Sequence, residues 1–427
     1  MKKIILLVFT ISSVLACKDF TESKLTNGTN VHREVNGSQE ILGDHSTINS
    51  GNFNIDKLIL NIGLNVVHPS TVNLAAKLEK LDSTIKLYCD VVKSSAENAV
   101  IKEALQTSWK ESMEAYHYLE AFKFGPIMHN GEEIGLAIYS WPLLNACRVE
   151  LEIAKNTGKA EYQLKSGVNL KGLGALETIL FTASGKHNCA STPDFLQNWL
   201  ASSEKQRHLD QCHYMLLVSQ DLGLQASALK KKWDPKFGNL TLSLIKGQNL
   251  QKKLSVVNEI SNSIFYVEKI IKDQKVGAPS GMINCQFNSC PEKSEHLIAQ
   301  FSIEAIIQNL NGFKDIFNGI DKQTGINGFG LDDYLENQGH PQVAKDLNTA
   351  LNQALKSFEK HRGKKSLFEL AQAVDKAQCL ASTSEERLEE ICSLYADLRA
   401  LTTILKNDYV LALRDIQAPK DSQGDMD

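Results

Sequence analysis

The stretch LAAKLEKLDSTIKLYCDVV, residues 74–92, decides the fold class. Its apolar residues Leu74, Leu78, Leu81, Ile85, Tyr88 and Val92 recur in alternating steps of four and three, which puts them on one face of an α-helix. The same rhythm returns far along the chain at Leu388, Ile391, Tyr395, Leu398, Thr402, Leu405 and Tyr409. Thr383 with Glu386 three residues on supplies a capping box before that run. Thr192-Pro193 predicts another helix start, a cap followed by proline in the first turn. Pro69, Pro126, Pro142, Pro193, Pro279, Pro291, Pro341 and Pro419 fall mostly where helices should begin or break, and long alternating runs are scarce. The chain is therefore expected to be all-α, built from helices packed on their apolar faces.

With 427 residues, 42% hydrophobic and 22% charged, the chain is long enough for a sizeable core. That composition excludes collagen, a wholly disordered chain and a disulfide mini-protein without a core. A formal charge of -4 and a pI near 6.3 give no global basic field, so nucleic acid is not an expected partner.

The first residues have a different character. Lys2 and Lys3 precede an apolar run from Ile4 to Leu15, and small Ala16 stands directly before Cys17. A basic end, a short apolar stretch and a small residue at the cut site make a secretory signal. The Ala16-Cys17 junction resembles the lipobox of bacterial lipoproteins, in which the cysteine sulfur receives a diacylglyceryl group; ordinary secretion with an incidental Cys17 is the alternative. Residues 1–16 are thus read as a lipoprotein signal peptide. Residues 17–55, rich in Asn, Ser, Thr and Gly, read as a flexible tether. The expected address is the bacterial cell envelope, with the membrane as partner through the lipid; Lys18 after the cysteine points to the outer membrane.

Behind the tether, residues 56–235 are expected to form an N-terminal helical bundle and 236–418 a C-terminal one. The seam falls at Lys230-Lys231-Lys232-Trp233-Asp234-Pro235, and 419–427 form a polar tail. The cysteines other than Cys17 are even in number, which in an exported protein predicts disulfides. Cys285 with Cys290 brackets a short loop between two prolines, and Cys379 with Cys392 flanks a helix-helix turn, so these pairings are favoured. No CxxC or HxxxH spacing is present to hold zinc.

Standard catalytic templates are missing: there is no GxSxG elbow, GxxxxGK[ST] loop or HExxH helix. Gly325-Ile326-Asn327-Gly328-Phe329-Gly330 follows no strand and reads as a helix connection, and Asp321 lacks the alternating oxygens of a calcium loop. Two segments carry chemistry. In Tyr116-His117-Tyr118-Leu119-Glu120, His117 and Glu120 stand three apart and project from one helix face. An imidazole and a carboxylate so placed can share a divalent cation, form a buried hydrogen bond or simply pair at the surface. In Leu170 to Phe181, Glu177 lies inside an otherwise apolar helix beside glycines. A carboxylate there needs a cation, a basic side chain or a hydrogen-bond donor.

These segments, Glu-Ala-Phe-x-Phe-Gly-Pro at Glu120 to Pro126, Tyr-x-Trp-Pro at Tyr139 to Pro142 and Gly-x-x-Ala-x-Glu-x-x-Leu-Phe at Gly172 to Phe181, resemble the imelysin-like family of exported bacterial proteins. Asn309 to Gly319 is similar to the family's second-half helix, and the resemblance covers about Asp56 to Arg414. It implies two packed helical bundles with a functional site between them, and relatives that include a surface peptidase and components of iron uptake. The family's GxHxxE motif is incomplete: Gly172 and Glu177 match, but Gly174 takes the histidine position, removing a metal ligand and potential base. The resemblance therefore implies a non-catalytic binding protein linked to iron or metal uptake, with no catalytic residue assigned. Tyr116, His117, Glu120, Gly172 and Glu177 are its expected binding residues. His117, Glu120 and Glu177 are the expected ligands of a metal ion, iron or zinc. Trp141 and Pro142 are architectural. An uptake-system or host protein is the expected partner. The alternatives are a metal-dependent peptidase and a host-interaction lipoprotein presenting the loops Gly185 to Thr192 and Gly277 to Pro291.

Overall fold

The computed structural model describes residues 53–94, 99–127, 134–159, 162–372, 374–380 and 390–413. The signal peptide, Cys17, nearly all of the tether, the capping box at Thr383 and the polar tail lie outside the described residues. Every described residue belongs to one compact unit, Ile48–Asp427.

The heptad-like run of residues 74–92 sits in helix α1, His68–Ser94, with Leu74, Leu78, Leu81, Ile85, Tyr88 and Val92 all buried. They pack against α2, Ala99–Glu120, and α4, Glu204–Trp233, while the short α3, Gly172–Phe181, closes the same core. The second core is built by α5, Leu250–Ile264, α6, Ser302–Phe317, α7, Pro341–Glu359, and α8, Glu390–Ile404. Among the described residues there is no strand, and no helix is long and apolar enough to cross a membrane. The all-α expectation holds.

The two cores do not divide the chain at one point. Leu58 to Val67 and Tyr118 to Ile127, early in the sequence, are buried with the second core, and Phe301 is buried with the first. Helix α2 spans both: Trp109, Met113 and Tyr116 belong to the first core, Tyr118 and Leu119 to the second. His117 lies between them, at the seam. Helix α6 approaches that part of α2 so closely that a methyl on Gly312 would overlap the Tyr118 carbonyl oxygen and stand 2.9 Å from the Ala121 Cβ.

Among the described residues, three stretches widen into π-helix, Ile62–Val67, Val267–Gly277 and Leu405–Tyr409. Such turns are uncommon and concentrate at functional sites; the second of them carries Lys275. Pro193 is the N-cap of Asp194–Leu200 rather than a residue of its first turn, a one-residue shift from the expectation. Four disulfides join Cys89 to Cys212, Cys147 to Cys189, Cys285 to Cys290 and Cys379 to Cys392. Both favoured pairings are among them. The loop expected to be exposed from Gly277 to Pro291 is buried over its first residues, because Met282 N–H and Ile283 N–H both donate to the Gly277 carbonyl and fold it inward.

Candidate metal centre

Two acid-histidine pairs meet at the seam. On α2, the i, i+3 spacing brings His117 Nδ1 2.8 Å from Glu120 Oε2. From α3, Glu177 Oε2 reaches His296 Nδ1 at 2.8 Å, and its Oε1 accepts the Ala299 N–H at 3.1 Å. The two rings face one another, His117 Nε2 to His296 Nε2, at 2.7 Å. Glu295 completes the group: one oxygen of Glu295 and one nitrogen from each ring lie within 4.8 Å of one another. None of His117, Glu120, Glu177, Glu295 and His296 is more than 6% exposed.

The local backbone explains how distant residues converge. Gly172 adopts φ +78° where a Cβ would stand 2.5 Å from the Ile138 carbonyl oxygen, so α3 can start tight against that segment and aim Glu177 inward. His296 sits at φ +52° in the segment after the Cys285–Cys290 loop, a left-handed turn that lets both Glu295 and His296 point into the interior. Ser302 Oγ donates to the Glu295 carbonyl and Gln300 N–H donates to the His296 carbonyl at 2.7 Å, fixing that turn onto the start of α6. Trp109 packs its ring edge-on to His296 at 5.5 Å and donates its indole N–H to the Leu173 carbonyl at 2.8 Å.

Lys275 is the cation of the cluster. It is fully buried, and its Nζ donates to Glu120 Oε2 at 3.1 Å and Asn309 Oδ1 at 2.8 Å, with Glu295 Oε2 at 2.9 Å but off the hydrogen-bonding angle. Asn309 in turn donates to the His117 carbonyl at 2.6 Å and to Glu120 Oε2 at 3.2 Å. Glu295 Oε1 has no hydrogen-bond partner among the described residues.

Electrostatics split the two rings. Burial, then the charge of Lys275, pushes the His117 pKa down and favours a neutral ring. Burial also opposes charge on His296, but the carboxylate of Glu177 outweighs it and raises that pKa. Burial would likewise discharge Lys275, yet Glu120 and Glu295 hold its pKa above the ordinary value. The arrangement these shifts favour has both Nδ1–H groups donating to carboxylates. One further proton on His296 Nε2 is shared with the His117 lone pair. Without a proton or another cation, two nitrogen lone pairs would face each other across 2.7 Å.

The structure gives the expected ligands unequal roles. His117, Glu120 and Glu177 do come together, but both carboxylates are engaged by ring Nδ1 atoms and so orient the histidines. The atoms left for a cation belong to His117, His296 and Glu295. Tyr116 directs its hydroxyl to the Gly135 carbonyl, 3.1 Å away, and Gly172 serves the turn, so neither offers a donor to the centre. Glu295 and His296 went unnoticed in the sequence, as did Lys275; no spacing links them to His117. At Gly174, a Cβ would stand 2.7 Å from Leu144 Cδ2, so Leu144 fills the space into which a histidine at that position would grow.

The imelysin family model (Peptidase_M75) matches residues 67–405. No curated protein sequence matches the chain. The fold is similar to that of an imelysin-like protein from Psychrobacter arcticum 273-4, with TM-score 0.62 at 18% identity over 87% of this chain and 100% of that one. It is also similar to a protein from Parabacteroides distasonis ATCC 8503 described as an iron-regulated protein A precursor, with TM-score 0.54 at 14% identity over 82% of this chain and 94% of that one. With most of its length matched by the family model, the chain belongs to the imelysin family.

Proposed function

We propose that this is a non-catalytic metal-binding protein that holds one transition-metal cation, iron or zinc, on His117, His296 and Glu295. The observation that carries the reading is the meeting of two imidazole Nε2 atoms beside the carboxylate of Glu295, whose Oε1 has no hydrogen-bond partner among the described residues. Two histidines and one carboxylate suit iron(II) and zinc. Each histidine already has the outer carboxylate that fixes a metal-ligating ring in orientation and tautomer. A bound cation would replace the shared proton and neutralise the buried acids. The iron-regulated description of one structural neighbour makes iron the first ion to test.

A peptidase would need an activated water, a free general base and room for a peptide. Here both oxygens of Glu177 are committed to His296 and Ala299, and the candidate ligands are sealed from solvent. These features favour holding an ion over cutting a chain. The four disulfides use every cysteine after Cys17, which supports an oxidising compartment and leaves Cys17 for the lipid. We place the protein on the cell envelope as a lipid-anchored component of metal acquisition, passing its ion to an uptake-system partner.

Calorimetric titration of the mature chain with ferrous, zinc and other divalent ions tests the reading. One saturable site, abolished by His117→Ala and by His296→Ala, is expected. The absence of saturable binding, or binding untouched by both changes, overturns it. Chelator-sensitive cleavage of unfolded insulin, lost in Glu177→Ala, would favour the peptidase. Transfer of the protein to the soluble fraction in Cys17→Ser tests the anchor.

A further inference from the structure

The centre contains more fixed charge than a metal site needs. Glu120, Glu177 and Glu295 bring three carboxylates into one buried cluster, and only Lys275 stands fully buried against them. Its ammonium makes ion pairs with two of the three, Glu120 and Glu295, and Glu295 is also a candidate ligand. The Asn309 oxygen at 2.8 Å and the Tyr266 ring, whose centre is 5.6 Å away, complete a cage around the ammonium, so it has no solvent to retreat to. Lys123, the other cation facing the cluster, stands 3.9 Å from Glu120 Oε1, beyond hydrogen-bonding distance, and 23% of its side chain is exposed, so it is not part of the fully buried set.

Resting on the metal-binding reading above, we propose that Lys275 is a specificity-determining residue that confines the centre to divalent ions and excludes trivalent ones. Three carboxylates against one buried ammonium leave two negative charges for a cation to neutralise when both histidines are neutral ligands. A divalent ion closes that balance. A trivalent ion leaves a buried positive charge beside Lys275, with no anion at hand, and uncompensated charge in an interior is expensive. Because Glu295 touches Lys275 at 2.9 Å and is itself a candidate ligand, a single carboxylate would separate the ammonium from the ion, on the order of 5 Å at metal–oxygen lengths of about 2 Å. At an effective dielectric of about 20, one additional unit of positive charge at that range changes affinity on the order of a hundredfold. For iron, this selects the ferrous ion over the ferric.

The experiment titrates the full mature chain with Zn²⁺ and with Ga³⁺, a redox-inert trivalent probe delivered as its nitrilotriacetate complex. Calorimetry and tryptophan fluorescence give the two affinities. The expected result is tight Zn²⁺ binding with Ga³⁺ weaker by about a hundredfold or more, and a Ga³⁺-to-Zn²⁺ affinity ratio about a hundredfold higher in Lys275→Met. Lys275→Arg, which keeps the charge, retains the wild-type ratio. Should Lys275→Met fail to fold by circular dichroism, Glu120→Gln serves instead, since removing a negative charge lowers the ratio further. Zn²⁺ binding with a ratio that neither Lys275→Met nor Glu120→Gln shifts overturns the charge assignment and leaves the metal site standing. If neither ion binds the wild-type chain, the metal site falls and this inference with it.

Discussion

Glu177→Gln separates an orienting carboxylate from a metal ligand. The change keeps the size of the side chain and removes one negative charge. In the native chain, Oε1 accepts the Ala299 N–H at 3.1 Å and Oε2 faces His296 Nδ1 at 2.8 Å. A glutamine has only one oxygen, and the main-chain N–H of Ala299 has to keep it because that donor is fixed. The amide NH₂ is then directed at His296 Nδ1, which must become an acceptor, and the ring proton moves to Nε2. That nitrogen is the one facing His117 and needed by the cation, so binding has to drive the imidazole back to its less favourable tautomer. Outer-shell changes of this kind typically cost about 10–100-fold in metal affinity, or about 1.4–2.7 kcal/mol. His296→Ala, which deletes the ligand, should abolish binding altogether. Isothermal titration with Zn²⁺ at neutral pH gives both numbers, and circular dichroism checks the fold. A Glu177→Gln protein that binds as tightly as wild type would refute the tautomer argument. One that loses all binding would make Glu177 a direct ligand.

Other expectations concern the scaffold. The carboxyl of Asp332 is pushed up to about 8, first by burial and then by neighbouring Asp333, and its Oδ1 has no hydrogen-bond partner among the described residues. The folded state therefore keeps a proton that the unfolded chain releases near about pH 4, so this residue lowers stability as pH rises from about 4 to about 8. Urea unfolding at pH 5 and pH 8 should show Asp332→Asn gaining on wild type by a few kcal/mol at the higher pH, at most about 1.4 kcal/mol per pH unit; parallel profiles would exclude it. Gly312→Ala forces a methyl against the Tyr118 carbonyl where α6 meets α2, and thermal unfolding should register about 1–3 kcal/mol of destabilisation. Replacing Cys89 and Cys212 together by serine opens a link between residues 123 apart, and should lower the unfolding free energy by about 2–5 kcal/mol in denaturant titration.

The fold was more legible than the site, for a physical reason visible in α1 and α6. Helical burial repeats every three or four residues, so Leu74 through Val92 announce their face in the sequence itself. His117 and Glu120 were legible in the same way, since one helical turn joins them, and Glu177 because a carboxylate amid Leu176, Ile179 and Leu180 has to have a partner. Who that partner is could not be read. His296 is 119 residues from Glu177 and 179 from His117, on an irregular turn that has no period. Lys275 gave no local sign either: its neighbours Asp273 and Lys272 make the segment look like a solvated face, although all three are buried.

That difference bears on how the centre can be built at all. Each half of it is a local device, an acid one turn from its histidine on α2 or a glycine-started helix aiming Glu177. Neither device is stable alone in an interior, because each leaves charge without an opposite. Only where the two cores close on each other do Lys275 and the paired rings supply the missing counterparts, and α6 brings Asn309 to join them. The packing that completes the fold is therefore the same event that completes the site. It follows that a bound cation should strengthen the contact between α2 and α6 as well as occupy its ligands. Hydrogen exchange read at the amides of residues 113–120 and 305–313 should slow on addition of Zn²⁺, and should slow far less in His296→Ala. Protection confined to the turn at Glu295 and His296 would mean that the ion merely decorates a seam already closed.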